Sequence, residues 1–438
     1  MSDNIRITGG KPLTGEITVR GAKNFVSKAM VAALLGSTPS ILRNVPEIRD
    51  VNVVSSLLRL HGAGVEYDVE SGDLAMDTAS LTAADAAQIA SHAGSSRIPI
   101  LLCGPLLHRL GEAVIPDLGG CRIGDRPIDF HLDILTKFGA TVEQGPDGLY
   151  LTAKNGLKGI KYELAYPSVG ATEQLLLTAV LAEGITMLNN AAVEPEIKDL
   201  IDLLQKMGAI ISVDTDRSIT IEGVKTLHGF DHHSLTDRIE VGSWAAAALA
   251  TKGDVFVHGA QQRHMGMFLN VFRKVGGEFE VVSDGIRFYH PGTELNSIAL
   301  QTDVHPGFMT DWQQPLVVAL TQAKGLSIVH ETVYENRFGY TEALEAMGAD
   351  ITLSSQCLGS RSCRFAARDF KHSAVVIGPT PLQAAPLAIP DLRAGFAYVM
   401  AALLANGTST IHNVHYIERG YADMPGKLRN LGAQVTVH

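Results

Sequence analysis

The stretch Gly119-Gly120-Cys121-Arg122-Ile123-Gly124-Asp125-Arg126-Pro127-Ile128-Asp129 sets a thiol among three glycines and beside two arginines. Guanidinium groups near a thiol favour its thiolate and lower its pKa. A loop so rich in glycine can move, which suits a reacting group better than the inert buried setting of most free cysteines. Cys121 is therefore read as functional. Cys103, inside the apolar run IPILLCGPLL, reads as core. Cys357 and Cys363 in QCLGSRSCRF could serve as metal ligands, but no His/Cys partner pair in the sequence completes a site, so neither metal nor cofactor is expected.

Two further kinds of motif could do chemistry. Arg20-Gly21-Ala22-Lys23-Asn24 runs directly into the helical pattern FVSKAMVAALLG. A lysine at a helix start, backed by N–H groups and the helix dipole, makes an anion site. Taken alone, the same motif reads more readily as a solvated loop lysine. In the second half stand Thr310-Asp311-Trp312-Gln313, Glu335-Asn336-Arg337-Phe338, Asp391-Leu392-Arg393 and Glu418-Arg419-Gly420-Tyr421, each at a helix start or just past a strand. Such positions face the ligand crevice in α/β structures. Each also admits a plain reading as a surface ion pair, or, for an Asp at a helix start, as an N-cap.

The elements that position these residues repeat. A glycine step between a helical run and an alternating run recurs at Gly62, Gly139, Gly208, Gly276, Gly348 and Gly432. Each is preceded by 23 to 28 residues by a second glycine closing an Ala/Leu-rich run: Gly36, Gly111, Gly184, Gly253, Gly325 and Gly407. The expected cause is a left-handed helix cap followed at once by a strand. Each unit reads strand, apolar helix, strand, amphipathic helix, strand, strand, with the last two as a hairpin. The helix in SVGATEQLLLTAVLAEG is apolar almost all round and so should be buried, with sheets outside it. The fold class expected is α/β, with two domains of three repeats. Residues 23–233 form the first, and 1–22 with 234–438 the second. The opening segment IRITGGKPLTGEITV should complete a sheet of the later domain.

Composition excludes other roles. The 438 residues are 46% hydrophobic and 19% charged, ordinary for a compact globular chain, with a net charge of −10 that argues against nucleic acid or an anionic membrane as partner. No apolar stretch long enough to span a bilayer occurs, and four cysteines form no disulfide framework, so a cytoplasmic setting is expected. A few clustered arginines and lysines can still hold a small anion on an acidic protein.

The motifs GAKN (21–24), GGCRIGDRPID (119–129), PSVGATE (167–173), EPEI (194–197), DRIE (237–240), ENRF (335–338), PDLR (390–393) and ERGY (418–421) occur in order. In these the chain resembles the UDP-N-acetylglucosamine enolpyruvyl transferases, over essentially its whole length. The resemblance implies an inside-out α/β barrel in each of two domains. It further implies transfer of the enolpyruvyl group of phosphoenolpyruvate to the 3-hydroxyl of UDP-N-acetylglucosamine, the first committed step of peptidoglycan precursor synthesis, in a cleft that closes on its substrates.

By the same resemblance, Cys121 donates a proton to C3 of the enol and Asp311 accepts the 3-hydroxyl proton. Lys23, Arg126 and Arg419 hold the phosphate and carboxylate, Arg337 and Arg393 support them, and Asp391 stabilises the developing cation. Asn24, Arg97, Arg126, Pro127, Ile128, Asp129, Phe130, Tyr166, Pro167, Ser168, Val169 and Val333 contact the sugar nucleotide. No metal is required, and the partners are the two small substrates, with a monomer or weak homo-oligomer expected. The shikimate-pathway enolpyruvyl transferase is the nearest rival, but it lacks the cysteine loop. A silent UDP-sugar-binding paralogue is the rival of another class.

Overall fold

The computed structural model describes all residues except 1–3, 95, 120–127, 146–147 and 361–362. The backbone forms two compact units. One comprises the described residues of Met1–Val19 and Thr236–His438, the other those of Arg20–Gly120 and Arg126–Leu235. Three sheets belong to each unit among the described residues, five of them four-stranded and one three-stranded.

The third repeat shows how sequence becomes layer. Strand Lys161–Glu163 leads to helix Val169–Ala179, then strand Ile185–Asn189, helix Pro195–Lys206, and a hairpin of Ile210–Val213 with Ile219–Glu222. Within the sheet, Ile185–Asn189 runs parallel to the first strand and antiparallel to the last. Residues Ala171 to Ala179 are all buried, as a helix without a polar face must be. Helix Pro195–Lys206 instead buries Ile197, Leu200, Ile201, Leu203 and Leu204 and exposes Lys198, Asp202 and Gln205. Each buried Leu or Ile contributes roughly 1.5–3 kcal/mol.

The other unit repeats this scheme around three buried helices, Arg238–Ala250, Gln313–Leu320 and Leu392–Leu404. Close approach depends on one small residue. A Cβ on Gly242 would lie 2.6 Å from the Trp312 ring, so only glycine lets that indole sit against the first helix. The opening strand Asn4–Thr8 lies antiparallel between Thr408–His412 and Gln434–Val437, completing the sheet of the last repeat. Strand Thr14–Thr18 pairs in parallel with Asp254–His258, and Asp231–His233 with Ser40–Arg43, so each strand preceding a passage between units belongs to the unit being left.

All six glycine steps adopt positive φ, from 82° at Gly62 to 110° at Gly139. The next residue then reaches back into the helix: Ala209 N–H bonds to the Leu204 carbonyl, and Gly277 N–H to that of Phe272. The upstream glycines follow the expectation at Gly111, Gly184, Gly325 and Gly407. Two do not. Gly36 is extended, with φ −78° and ψ 152°. At Gly253 the left-handed residue is Lys252, φ 56°, while the glycine is needed because a Cβ would meet the Leu13 carbonyl oxygen at 2.1 Å.

Candidate functional site

In the unit of residues 236–438, the chemistry-bearing residues stand at the N-terminal ends of its buried helices. Asp237 and Asp391 are the N-caps of helices Arg238–Ala250 and Leu392–Leu404, while Asp311 lies in the 3-10 turn Thr310–Trp312 that opens into Gln313–Leu320. Helix starts carry partial positive charge and suit anions. Asp391 Oδ1 accepts from the N–H groups of Arg393, at 2.9 Å, and Ala394, at 3.2 Å, which is the capping role that the sequence alone allowed it.

Two arginines converge on Asp311. Arg337 Nη2 lies 2.5 Å from Oδ1, and Arg393 Nε 3.4 Å from Oδ2. Both arginines are almost wholly buried, at 4% and 5% exposure. Burial weakens the charge of Arg393, but the Tyr421 hydroxyl and the Asp311 carboxylate outweigh it and raise its basicity. For Arg337 the same balance is struck by Asp311, Asp391 and Glu331. Arg393 Nη1 is buried with no hydrogen-bond partner among the described residues, although buried polar groups are nearly always satisfied.

The surroundings fix these guanidinium groups. Arg337 Nε donates to Thr310 Oγ1 at 3.3 Å, and Thr310 donates to Glu331 Oε2 at 2.9 Å. The other Glu331 oxygen accepts from Val333 N–H at 2.7 Å, tying down the segment that carries Val333 and Arg337. Burial pushes the Glu331 carboxyl up, against the pull of Arg337. Arg393 lies over the Tyr421 ring, which itself stacks on Phe396. Arg419 ends the 3-10 segment Val414–Arg419, which packs on the helix start because a Cβ on Gly395 would stand 2.7 Å from Ile417. Sequence reading missed Glu331, and named Thr310 and Tyr421 only as members of their motifs. The signal for Glu331 was an acid directly after strand Gly325–His330.

The other unit presents its own helix starts. Lys23 begins helix Lys23–Ala32 and is no solvated loop lysine: its Nζ is 2.7 Å from Asp50 Oδ2, with the lysine side chain only 15% exposed. Asn24 follows in the first turn. Tyr166, Pro167, Ser168 and Val169 are half-buried in succession, and Ser168 caps helix Val169–Ala179 by accepting from Ala171 N–H. Ile128, Asp129 and Phe130 begin helix Asp129–Phe138. Arg97 starts the 3-10 segment Ile98–Leu102 and acts electrostatically on His131, as does Asp129. His131, which sequence reading passed over, bonds to Gln174 Oε1 at 3.2 Å, and burial pushes it down to about 4. These groups therefore draw Arg97, the Asp129 helix and the Val169 helix into one neighbourhood. Cys121, Arg126 and Pro127 lie outside the described residues.

One expectation is corrected. Cys357 and Cys363 do have a His partner pair, because strand pairing brings His330 and His372 to them, and the ligand atoms of all four lie within 4.8 Å of one another. Cys103 is fully buried, as expected of core, and burial pushes its thiol up.

The family model of EPSP synthase (3-phosphoshikimate 1-carboxyvinyltransferase) matches residues 7–428 of this chain. A UDP-N-acetylglucosamine 1-carboxyvinyltransferase of Protochlamydia amoebophila is 51% identical over 440 residues, covering 99% of this chain and 94% of its own. One of Chlamydia pneumoniae is 46% identical with the same coverage, and one of Staphylococcus aureus is 38% identical over 99% of each chain. Among solved structures, the enolpyruvyl transferase NikO from Streptomyces tendae superposes with a TM-score of 0.87 at 24% identity, covering 100% of this chain and 99% of its own. EPSP synthase from Acinetobacter baumannii superposes with a TM-score of 0.73 at 18% identity, over 99% of each chain. Both share the fold.

Proposed function

The chain belongs to the UDP-N-acetylglucosamine 1-carboxyvinyltransferases of the EPSP synthase family, and from that premise we propose that it transfers the enolpyruvyl group of phosphoenolpyruvate to the 3-hydroxyl of UDP-N-acetylglucosamine. Phosphate is released, and the product enters peptidoglycan precursor synthesis. In the addition step, the Cys121 thiol gives a proton to C3 of the enol, the sugar 3-oxygen bonds to C2, and Asp311 takes the hydroxyl proton. Elimination then removes a proton from C3 and breaks the C2–O bond to phosphate.

The observation that carries this reading is the buried Arg393, with one N–H group unpartnered among the described residues, beside Arg337 and Asp311 at a cluster of helix starts. A planar guanidinium with a spare donor suits a phosphate or carboxylate oxygen. Asp311 is engaged by both arginines here. Anionic substrate groups would compete for those guanidinium groups and release the carboxylate to act as base. Lys23, Arg126 and Arg419 complete the anion binding, and Asp391 stabilises positive charge at C2. Asn24, Arg97, Arg126 to Phe130, Tyr166 to Val169 and Val333 hold the nucleotide and sugar.

Excluding water from the reacting groups would protect the intermediate from hydrolysis. The substrates are phosphorylated intracellular metabolites, which puts the protein in the cytoplasm. No helix among the described residues is long and apolar enough to cross a membrane. Loss of the protein would impair wall growth, and with it cell shape and division. The decisive assay follows phosphate release from phosphoenolpyruvate with either UDP-N-acetylglucosamine or shikimate 3-phosphate as acceptor. Release with the sugar nucleotide alone supports the reading. Release with shikimate 3-phosphate instead, or with neither, overturns it.

A further inference from the structure

Away from the arginine cluster, one sheet of the 236–438 unit gathers four side chains of a kind that bind borderline metals. Strand Gly325–His330 ends on His330, which pairs in register with Ser373, the first residue of strand Ser373–Gly378. His372 immediately precedes that strand, and Cys357 and Cys363 lie in the segment that joins it to strand Asp350–Ser354. The register thus delivers two imidazoles and two thiols to one sheet edge. Cys357 Sγ is 3.5 Å from Cys363 Sγ and 3.4 Å from His372 Nε2. In tetrahedral zinc, with Zn–S of about 2.3 Å and Zn–N of about 2.0–2.1 Å, the edges are about 3.8 Å for S···S and about 3.5 Å for S···N. At its widest, 4.8 Å, the set is about 1 Å broader than such a tetrahedron.

The surroundings hold both imidazoles in the tautomer a metal needs. His372 Nδ1 faces the Phe370 carbonyl at 2.7 Å, so it carries the proton and Nε2 offers its lone pair toward Cys357. Ser373 Oγ gives its hydrogen to the Gln356 carbonyl at 2.7 Å and can only accept from His330 Nδ1 at 2.8 Å. His330 Nε2 therefore also presents a lone pair. That atom is buried without a hydrogen-bond partner among the described residues, on a side chain that is 0% exposed. Paired outer hydrogen bonds of this kind orient metal-binding histidines. Phe365 N–H donates to Cys363 Sγ at 3.4 Å, which supports that sulfur from the backbone.

We propose that His330, Cys357, Cys363 and His372 bind one zinc ion in a closed, structural S2N2 site. Binding releases the two thiol protons to solvent and transfers no electrons. With four protein ligands the ion has no position for substrate. Its place in the fold gives it a mechanical role. The His372 carbonyl accepts from Glu331 N–H at 2.7 Å, and Glu331 holds Val333 and Thr310. Arg364, next to Cys363, donates to the Val333 carbonyl and pairs with Glu335 at 3.6 Å. The ion would therefore fasten the segment that carries Val333 and Arg337.

The test uses the full chain without a polyhistidine tag, purified under reducing conditions without chelator from cells grown with zinc. Elemental analysis should find about one zinc per chain, falling below about a tenth in Cys357→Ser and in His372→Ala. Because such variants can misfold, the wild-type chain stripped of metal is also titrated with Co2+. It should develop the visible absorption of tetrahedral cobalt with thiolate ligands, saturating at one equivalent. Metal-free wild type with no such spectrum overturns the proposal. So does full zinc retention by Cys357→Ser, or a Cys357–Cys363 disulfide found by mass spectrometry in the reduced preparation. None of these readouts depends on the catalytic reading.

Discussion

Arg337 Nη2 stands 2.5 Å from Asp311 Oδ1, and the arginine side chain, at 2% exposure, has almost no water with which to exchange that contact. Arg337 is held from behind by Thr310, itself anchored to Glu331, so the guanidinium plane is fixed. Arg337→Lys keeps the charge and loses the two-pronged geometry. The expected result is a fall in kcat/KM for phosphoenolpyruvate of about tenfold or more, equivalent to about 1.4 kcal/mol of transition-state stabilisation. Unchanged steady-state kinetics would remove Arg337 from the site.

Cys121→Ala should abolish turnover while leaving UDP-N-acetylglucosamine affinity within a few-fold, because a general acid acts on the transition state more than on the bound ground state. The epoxide fosfomycin should inactivate the wild-type chain by alkylating that thiol and add no mass to the variant. Labelling of the variant would point to another nucleophile.

Stability should fall on both sides of mildly acidic pH. Burial lowers His131 from 6.5 to about 4, so its stabilising contribution is present above about 6.5 and lost as pH falls through about 4. Burial raises Glu173 from 4.5 to about 7 against the pull of Lys28, so its contribution is present below 4.5 and lost as pH rises through about 7. Thermal midpoints from pH 4 to 8 should show a flatter acid limb in His131→Gln and a flatter neutral limb in Glu173→Gln. Curves parallel to wild type would contradict both assignments.

The helix caps make opposite predictions at two positions. Gly208 has φ 104°, and Gly208→Ala should destabilise the fold by about 1–2 kcal/mol. Lys252 bears the same strain at φ 56° with an exposed side chain, so Lys252→Gly should gain up to about 1 kcal/mol. Urea unfolding measures both; a stabilised Gly208→Ala would refute the cap account.

The cap contrast also shows what the sequence reveals. Six glycines stand out because a left-handed residue at a fixed offset leaves few alternatives, so the repeat and its buried helices can be read from residue types. At Gly36 and Gly253 the glycine answers to other demands, an extended turn and the nearby Leu13 carbonyl, which leave no mark on spacing. Asp311, Arg337 and Arg393 are legible as charged groups at helix starts or past strands. That two guanidinium groups are buried against one carboxylate is not, since burial depends on how three repeats pack. The same holds for His330 and His372, joined to the cysteines by a strand register that spans 43 residues between His330 and Ser373.

The central claim, that Asp311 is the proton acceptor within this arginine cluster, is tested most directly by the turnover of Asp311→Asn, which preserves size and most hydrogen bonding. With folding and sugar-nucleotide affinity verified on the same sample, phosphate release at saturating substrates should drop by roughly 10²–10⁴-fold. A rate within a few-fold of wild type would contradict it.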